Sequence, residues 1–147
     1  MQSRQIDPGG KERTFALIFQ TGDEVVSNLQ SFARQHQLSG SHFTAIGAFS
    51  DATVAYFDWE KKDYKKIPVR EQVEVLALTG DIATDEKTRQ PKIHAHVVLG
   101  RSDASVIGGH LVEAHVRPTL EVVLTESPAH LRRRHDEQTG LALIRLE

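Results

Sequence analysis

KIHAHVVLGRSDASVIGGH, residues 92–110, contains two runs with strand character, 93–99 and the start of 106–116, separated by the polar loop 100–105. Apolar and β-branched residues on both sides of a short Gly-, Ser- and Asp-rich connection predict an antiparallel hairpin. The stretch also holds three of the chain's eight histidines. Side chains two apart on a strand share a face, so His94 and His96 project together, roughly 6.5–7 Å apart along the chain. Pairing His96 with His110 centres the turn on Asp103. A slip of one residue pairs His110 with Ala95 instead and turns it to the other face. A bulge at Gly108-Gly109 is one device that can decide between the two registers.

The segments around this hairpin extend the same reading. Past the breaker Pro8-Gly9-Gly10, residues 14–19 read as a strand. Thr21-Gly22-Asp23-Glu24 fits a capping box with Thr21 as the cap. Val25, Val26, Leu29, Phe32, Ala33 and His36 then recur at helical spacing, predicting one amphipathic helix that ends near Ser39-Gly40. His36 falls at the edge of its buried stripe. Residues 43–49, 52–58 and 64–69 read as meander strands, with a charged turn over 59–63. A longer strand is predicted over 71–81, with Val73, Val75, Ala77 and Thr79 on one face. A polar loop covers 84–90, and further strands are expected over 120–124, after Pro118, and 141–146. The fold class is therefore α+β: a largely antiparallel sheet with one main amphipathic helix packed on it, in a single compact domain. Residues 1–13 form a polar lead and 14–147 the domain.

The composition narrows the chemistry. With 147 residues, 39% hydrophobic and 26% charged, the chain suits one globular core. It has no cysteine, so a transition-metal site must be built from imidazole and carboxylate. Three neutral imidazoles, His94, His96 and His110, suit zinc and leave one coordination position for water or a ligand. The polar start and the lack of a long apolar run predict a cytoplasmic protein with no membrane span. A net charge of −2 argues against nucleic acid as a partner. The one basic cluster, Arg132-Arg133-Arg134 with His135, reads as a solvated face. Asp81, Asp85, Glu113 and Glu121 are possible bases without a specified partner. Ser102 and Ser105 form no recognisable triad, and His42, His115, His130 and His135 lack ligand spacing.

In their order, Thr21-Gly22-Asp23-Glu24, the segments 43–52 and 73–80, His94-Ala95-His96, Gly108-Gly109-His110-Leu111 and Glu121-Val122 resemble the plants-and-prokaryotes-conserved (PPC) domain. Members occur as single domains in bacteria and archaea and attached to AT-hook segments in plants. The resemblance implies a homotrimer in which the His-x-His and Gly-Gly-His motifs lie close and can hold a metal. The Gly-Arg-Phe-Glu-Ile-Leu segment linked to partner binding in plant members corresponds to Glu71-Gln72-Val73-Glu74-Val75-Leu76, so its Gly, Arg and Phe are replaced. No Arg-Gly-Arg-Pro hook core occurs in these residues. The leading expectation is a small PPC-type module that binds zinc and takes part in ligand binding or regulation. The alternatives are a metal-dependent enzyme with Glu113 or another nearby carboxylate as base, and a DNA-associated regulator without an AT-hook.

Overall fold

A computed structural model describes residues 1–7 and 9–146. Pro8 of the predicted breaker and Glu147 at the end of the predicted domain lie outside them. Among the described residues the chain forms β1 (Gln2–Gln5), β2 (Arg13–Gln20), α1 (Val25–Gln35), β3 (Gly40–Asp58), β4 (Asp63–Val69), β5 (Val73–Asp85), β6 (Pro91–Gly100), β7 (Val106–Glu126), β8 (Arg132–His135) and β9 (Ala142–Arg145). This is the expected α+β class: one helix on a sheet that is antiparallel except where β8 runs parallel to β5. Within the polar lead, Gln2–Gln5 adds an edge strand to β2.

Two long strands form the spine. The sequence reads β3 as two strands and β7 as two, yet each is continuous. Pairing of β3 with β7 absorbs irregularities between Gly47 and Phe49, Phe49 and Asp51, and Thr53 and Val54. Such bulges bend a strand without ending it. Pro118 has no N–H to donate, and it sits where β3 offers no partner, between the pairs Phe49–Val116 and Gly47–Leu120. Pairing then runs in a closed circuit, β3 to β5 to β6 to β7 and back to β3. A bulge between Val75 and Ala77 also shifts the predicted face of β5. Val73 and Val75 are buried as expected, but Leu78 replaces Ala77 and Thr79 in the core.

The helix starts later and stops earlier than the pattern predicts. Gly22 N–H donates to the Val116 carbonyl and Val116 N–H to the Asp23 carbonyl, which stitches residues 21–23 to β7 as a turn. Glu24, not Thr21, is therefore the cap, its carboxylate accepting from Val26 N–H at 3.0 Å and Ser27 N–H at 2.6 Å. Thr21 donates its hydroxyl to the Pro118 carbonyl. At the other end Gln37 takes φ 53°, and Leu38 N–H reaches the Ala33 carbonyl at 2.9 Å. That is a Schellman closure with buried Leu38 supplying its apolar contact. Val25, Leu29, Phe32 and Ala33 face β6 and β7. Burying Leu29 and Phe32 stabilises by about 1.5–3 kcal/mol each, and His36 stacks on Phe32 at the stripe's edge as expected.

The register that the sequence leaves open is settled by β6 and β7, where His96 pairs with His110, Val97 with Gly109 and Val98 with Gly108, with no bulge. The glycines serve close approach instead. A Cβ on Gly108 would stand 2.6 Å from the Val97 carbonyl oxygen, and one on Gly109 would stand 2.7 Å from that of Ala55. Each therefore lets β7 lie against a neighbouring strand, β6 on one side and β3 on the other. Gly109→Ala is expected to cost about 2 kcal/mol by overpacking. Chemical denaturation checks this, and an unchanged midpoint would show that Ala55 yields freely.

Candidate metal centre

The hairpin register brings the three predicted ligands together. His94 pairs with Asp81 across β5, and His96 lies opposite Thr79 on one side and His110 on the other. Alternation along β6 then points His94 and His96 to one face, and His110 meets them from β7. Ring centroids are 5.1 Å apart for His94 and His96, 5.2 Å for His94 and His110, and 5.6 Å for His96 and His110. One nitrogen from each ring lies within 4.8 Å of the others.

Two of the three imidazoles sit in surroundings that favour the neutral ring. His110 is lowered to about 4, first by burial and then by the charges of His94, His96, Arg133 and Lys92. Burial, with His94 beside it, lowers His96 as well. A neutral ring offers the lone pair that a metal needs. The Nδ1 of His110 is buried without a hydrogen-bond partner, an orphaned acceptor or donor that coordination would explain. Tyr64 stacks on the His110 ring at 4.8 Å and fixes its plane.

A carboxylate stands behind the cluster. Asp81 Oδ2 is 3.7 Å from His94 Nδ1, and Asp81 Oδ1 accepts from Arg133 at 2.5 Å. Burial pushes the Asp81 carboxyl up, but His94 and Arg133 outweigh it and hold it below the usual carboxylate range. An acidic group behind a histidine ligand orients the ring and raises its basicity. The expected solvated face over residues 132–134 therefore needs correction. Strand alternation in β8 turns Arg133 inward, 6% exposed, where it binds Asp81 and donates to the Ala142 carbonyl at 3.0 Å. Its neighbour Arg134 stays outside, paired with Glu86.

Other candidates go elsewhere. Asp85 caps its own turn, accepting from Lys87 N–H, Thr88 N–H and the Thr88 hydroxyl. Glu113 is exposed opposite Thr53 and acts electrostatically on His115, which pairs with Asp51 at 2.8 Å. Glu121 is exposed opposite Ile46 and Ile18. His130 meets the Ser39 hydroxyl. Among the described residues, the carboxylate beside the histidines is Asp81. Sequence reasoning did not place Arg133, Lys92 or Tyr64 near the cluster. For Lys92 the signal was the same alternation that pairs His94 with His96; for Arg133 it was the alternation in β8, which names no partner 52 residues away.

Comparison with known proteins places the chain among similar folds and sequences. A metal-containing protein from Archaeoglobus fulgidus is 37% identical, with a TM-score of 0.82 over 91% of this chain and 93% of that one. A plant- and prokaryote-conserved (PPC) protein from Pyrococcus horikoshii is 31% identical, with a TM-score of 0.84 over 92% of each chain. The bifunctional protein GlmU of Synechococcus sp. (strain JA-3-3Ab) is 30% identical over 143 residues, 95% of this chain. The chain spans about a fifth of that curated relative's length, 21%. The model of the Plants and Prokaryotes Conserved (PCC) domain matches residues 6–128, a span that includes all three histidines, and the chain belongs to that family.

Proposed function

We propose that His94, His96 and His110 hold one zinc ion in a small cytoplasmic homotrimeric module that presents the metal to a small-molecule ligand. The observation that carries this reading is the meeting of three imidazoles within 4.8 Å, with His110 Nδ1 buried and unpartnered. In a chain without cysteine this donor set suits zinc over softer-ligand metals. Bound there, zinc would supply a Lewis-acidic coordination position for an oxygen ligand. The protein's own groups do the rest: Asp81 orients His94, Tyr64 holds the His110 plane, and β6 and β7 fix the spacing.

An enzyme would also need a free base near that position. Asp81 is engaged by Arg133 and His94, which favours a binding role. The trimer draws support from apolar side chains left exposed on four paired strands, Ile46, Leu76, Val98, Val106 and Val123. Large exposed apolar surface is usually covered by a partner. Among the described residues no helix is long and apolar enough to cross a membrane.

Elemental analysis of protein grown with zinc is expected to give one zinc per chain. The triple variant His94→Ala, His96→Ala, His110→Ala should give none. Wild type without stoichiometric metal would end the reading. Light scattering at micromolar concentration is expected to report a trimer, and a monomer would remove the assembly claim.

A further inference from the structure

His94 and His110 do more than face each other, because they form one wall of a cavity of about 150 Å³. At about 30 Å³ per water, that is room for a ligand of a few heavy atoms. Another wall comes from the C-terminal hairpin, where Leu141, Ala142 and Leu143 line the cavity with Arg133 of β8. Ile93 and Lys92 of β6 complete it. The family match stops at residue 128, so this wall lies outside the matched span.

The wall has a definite chemistry. Lys92 and Arg133 place two cations on the cavity, and Asp81 is bound to Arg133. Arg133 is 6% exposed, and its Nε is buried without a partner. A buried guanidinium N–H left unpaired next to a cavity is a donor waiting for an acceptor, and carboxylate oxygen suits it. Ile93, Leu141 and Leu143 line the same cavity and are apolar. We propose that the β8–β9 hairpin is a specificity wall that selects a small branched carboxylate, its anionic end toward Lys92 and Arg133 and its short alkyl tail against Ile93, Leu141 and Leu143. The proposal rests on the zinc reading only for the ligand's second contact, beside His94 and His110.

Isobutyrate is the probe, with its neutral isostere isobutyramide and inorganic phosphate as comparisons, titrated calorimetrically into zinc-loaded and metal-stripped protein. Isobutyrate is expected to bind at least about tenfold more tightly than isobutyramide, the size of one lost charged hydrogen bond. Phosphate, which has no alkyl tail, should bind more weakly than isobutyrate. Lys92→Gln lies on an exposed side chain and should weaken isobutyrate by about tenfold with the fold intact. Leu143→Trp should fill the cavity and abolish binding while zinc stoichiometry stays the same. Equal binding of acid and amide, or unchanged binding by Lys92→Gln, would overturn the proposal. Isobutyrate binding with this variant pattern in a protein that takes up no zinc would sink the metal reading and leave the wall standing. Stoichiometric zinc without isobutyrate binding would do the reverse.

Discussion

His110→Ala is expected to weaken zinc binding by about a thousandfold. Site free energies for structural zinc run to about 10–16 kcal/mol, so one of three protein ligands and one solvent position accounts for roughly 4 kcal/mol, or three decades in affinity. His110 is the informative ligand because it comes from β7, while His94 and His96 share β6. Its loss tests whether the two strands act on one ion. The ring is stacked on Tyr64 and partly buried, so the variant leaves a modest gap and circular dichroism should still report the same fold. Competition against a chromophoric chelator measures the change. A loss below about tenfold would mean that His94 and His96 bind the metal without help from β7.

The second large effect lies away from the metal, in a carboxylate that ties three strands. Glu126 is 5% exposed. It accepts from Ser39 N–H at 2.8 Å, Gly40 N–H at 3.2 Å, the Ser39 hydroxyl at 3.3 Å and the Ser41 hydroxyl, and Arg13 stands 4.0 Å away. The end of β7 is thereby fastened to the start of β3 and to β2. Removing the acceptor strands several buried donors at once, and each unpaired buried donor costs about 1–3 kcal/mol. Glu126→Ala is therefore expected to lose about 3 kcal/mol, while Glu126→Gln, which keeps one acceptor oxygen, should lose about 1 kcal/mol. Urea denaturation with an unchanged slope distinguishes them. Equal losses for both variants would show that charge, and not the acceptor geometry, holds the strands.

The histidine cluster was legible in part. Strand alternation placed His94 beside His96, while the register that carries His110 to them stayed open in the residues, was favoured only by the family resemblance, and is set by the pairing of β6 with β7. The glycines before His110 were legible as a place of close approach, but the bulge expected there does not form. What they permit is the approach of β7 to the Val97 and Ala55 carbonyls, and no sequence pattern names the atoms a missing Cβ would strike. The continuity of β3 and β7 was hidden for a related reason. Pro118 reads as a strand break, yet it falls at the step where β3 skips a partner. The helix limits misled because Thr21 was pulled into a turn on β7, and Gln37 took a left-handed conformation more common for glycine.

Least legible was the surround of the site. Three adjacent arginines with acidic neighbours look like surface charge, and Arg133 is drawn inward only because β8 runs parallel beside β5, placing it near Asp81. That pairing joins residues far apart in sequence, as does the closure of the cavity by residues 141–143. Tertiary pairing of this kind has no local signature.

The most direct measurement is a diffraction experiment on crystals of zinc-grown protein, with data on both sides of the zinc absorption edge. One anomalous peak per chain is predicted, enclosed by His94, His96 and His110 at about 2.0–2.1 Å from each coordinating nitrogen. Well-ordered histidines with no anomalous peak between them, or a peak held by other residues, would contradict the assignment of this cluster as a metal centre.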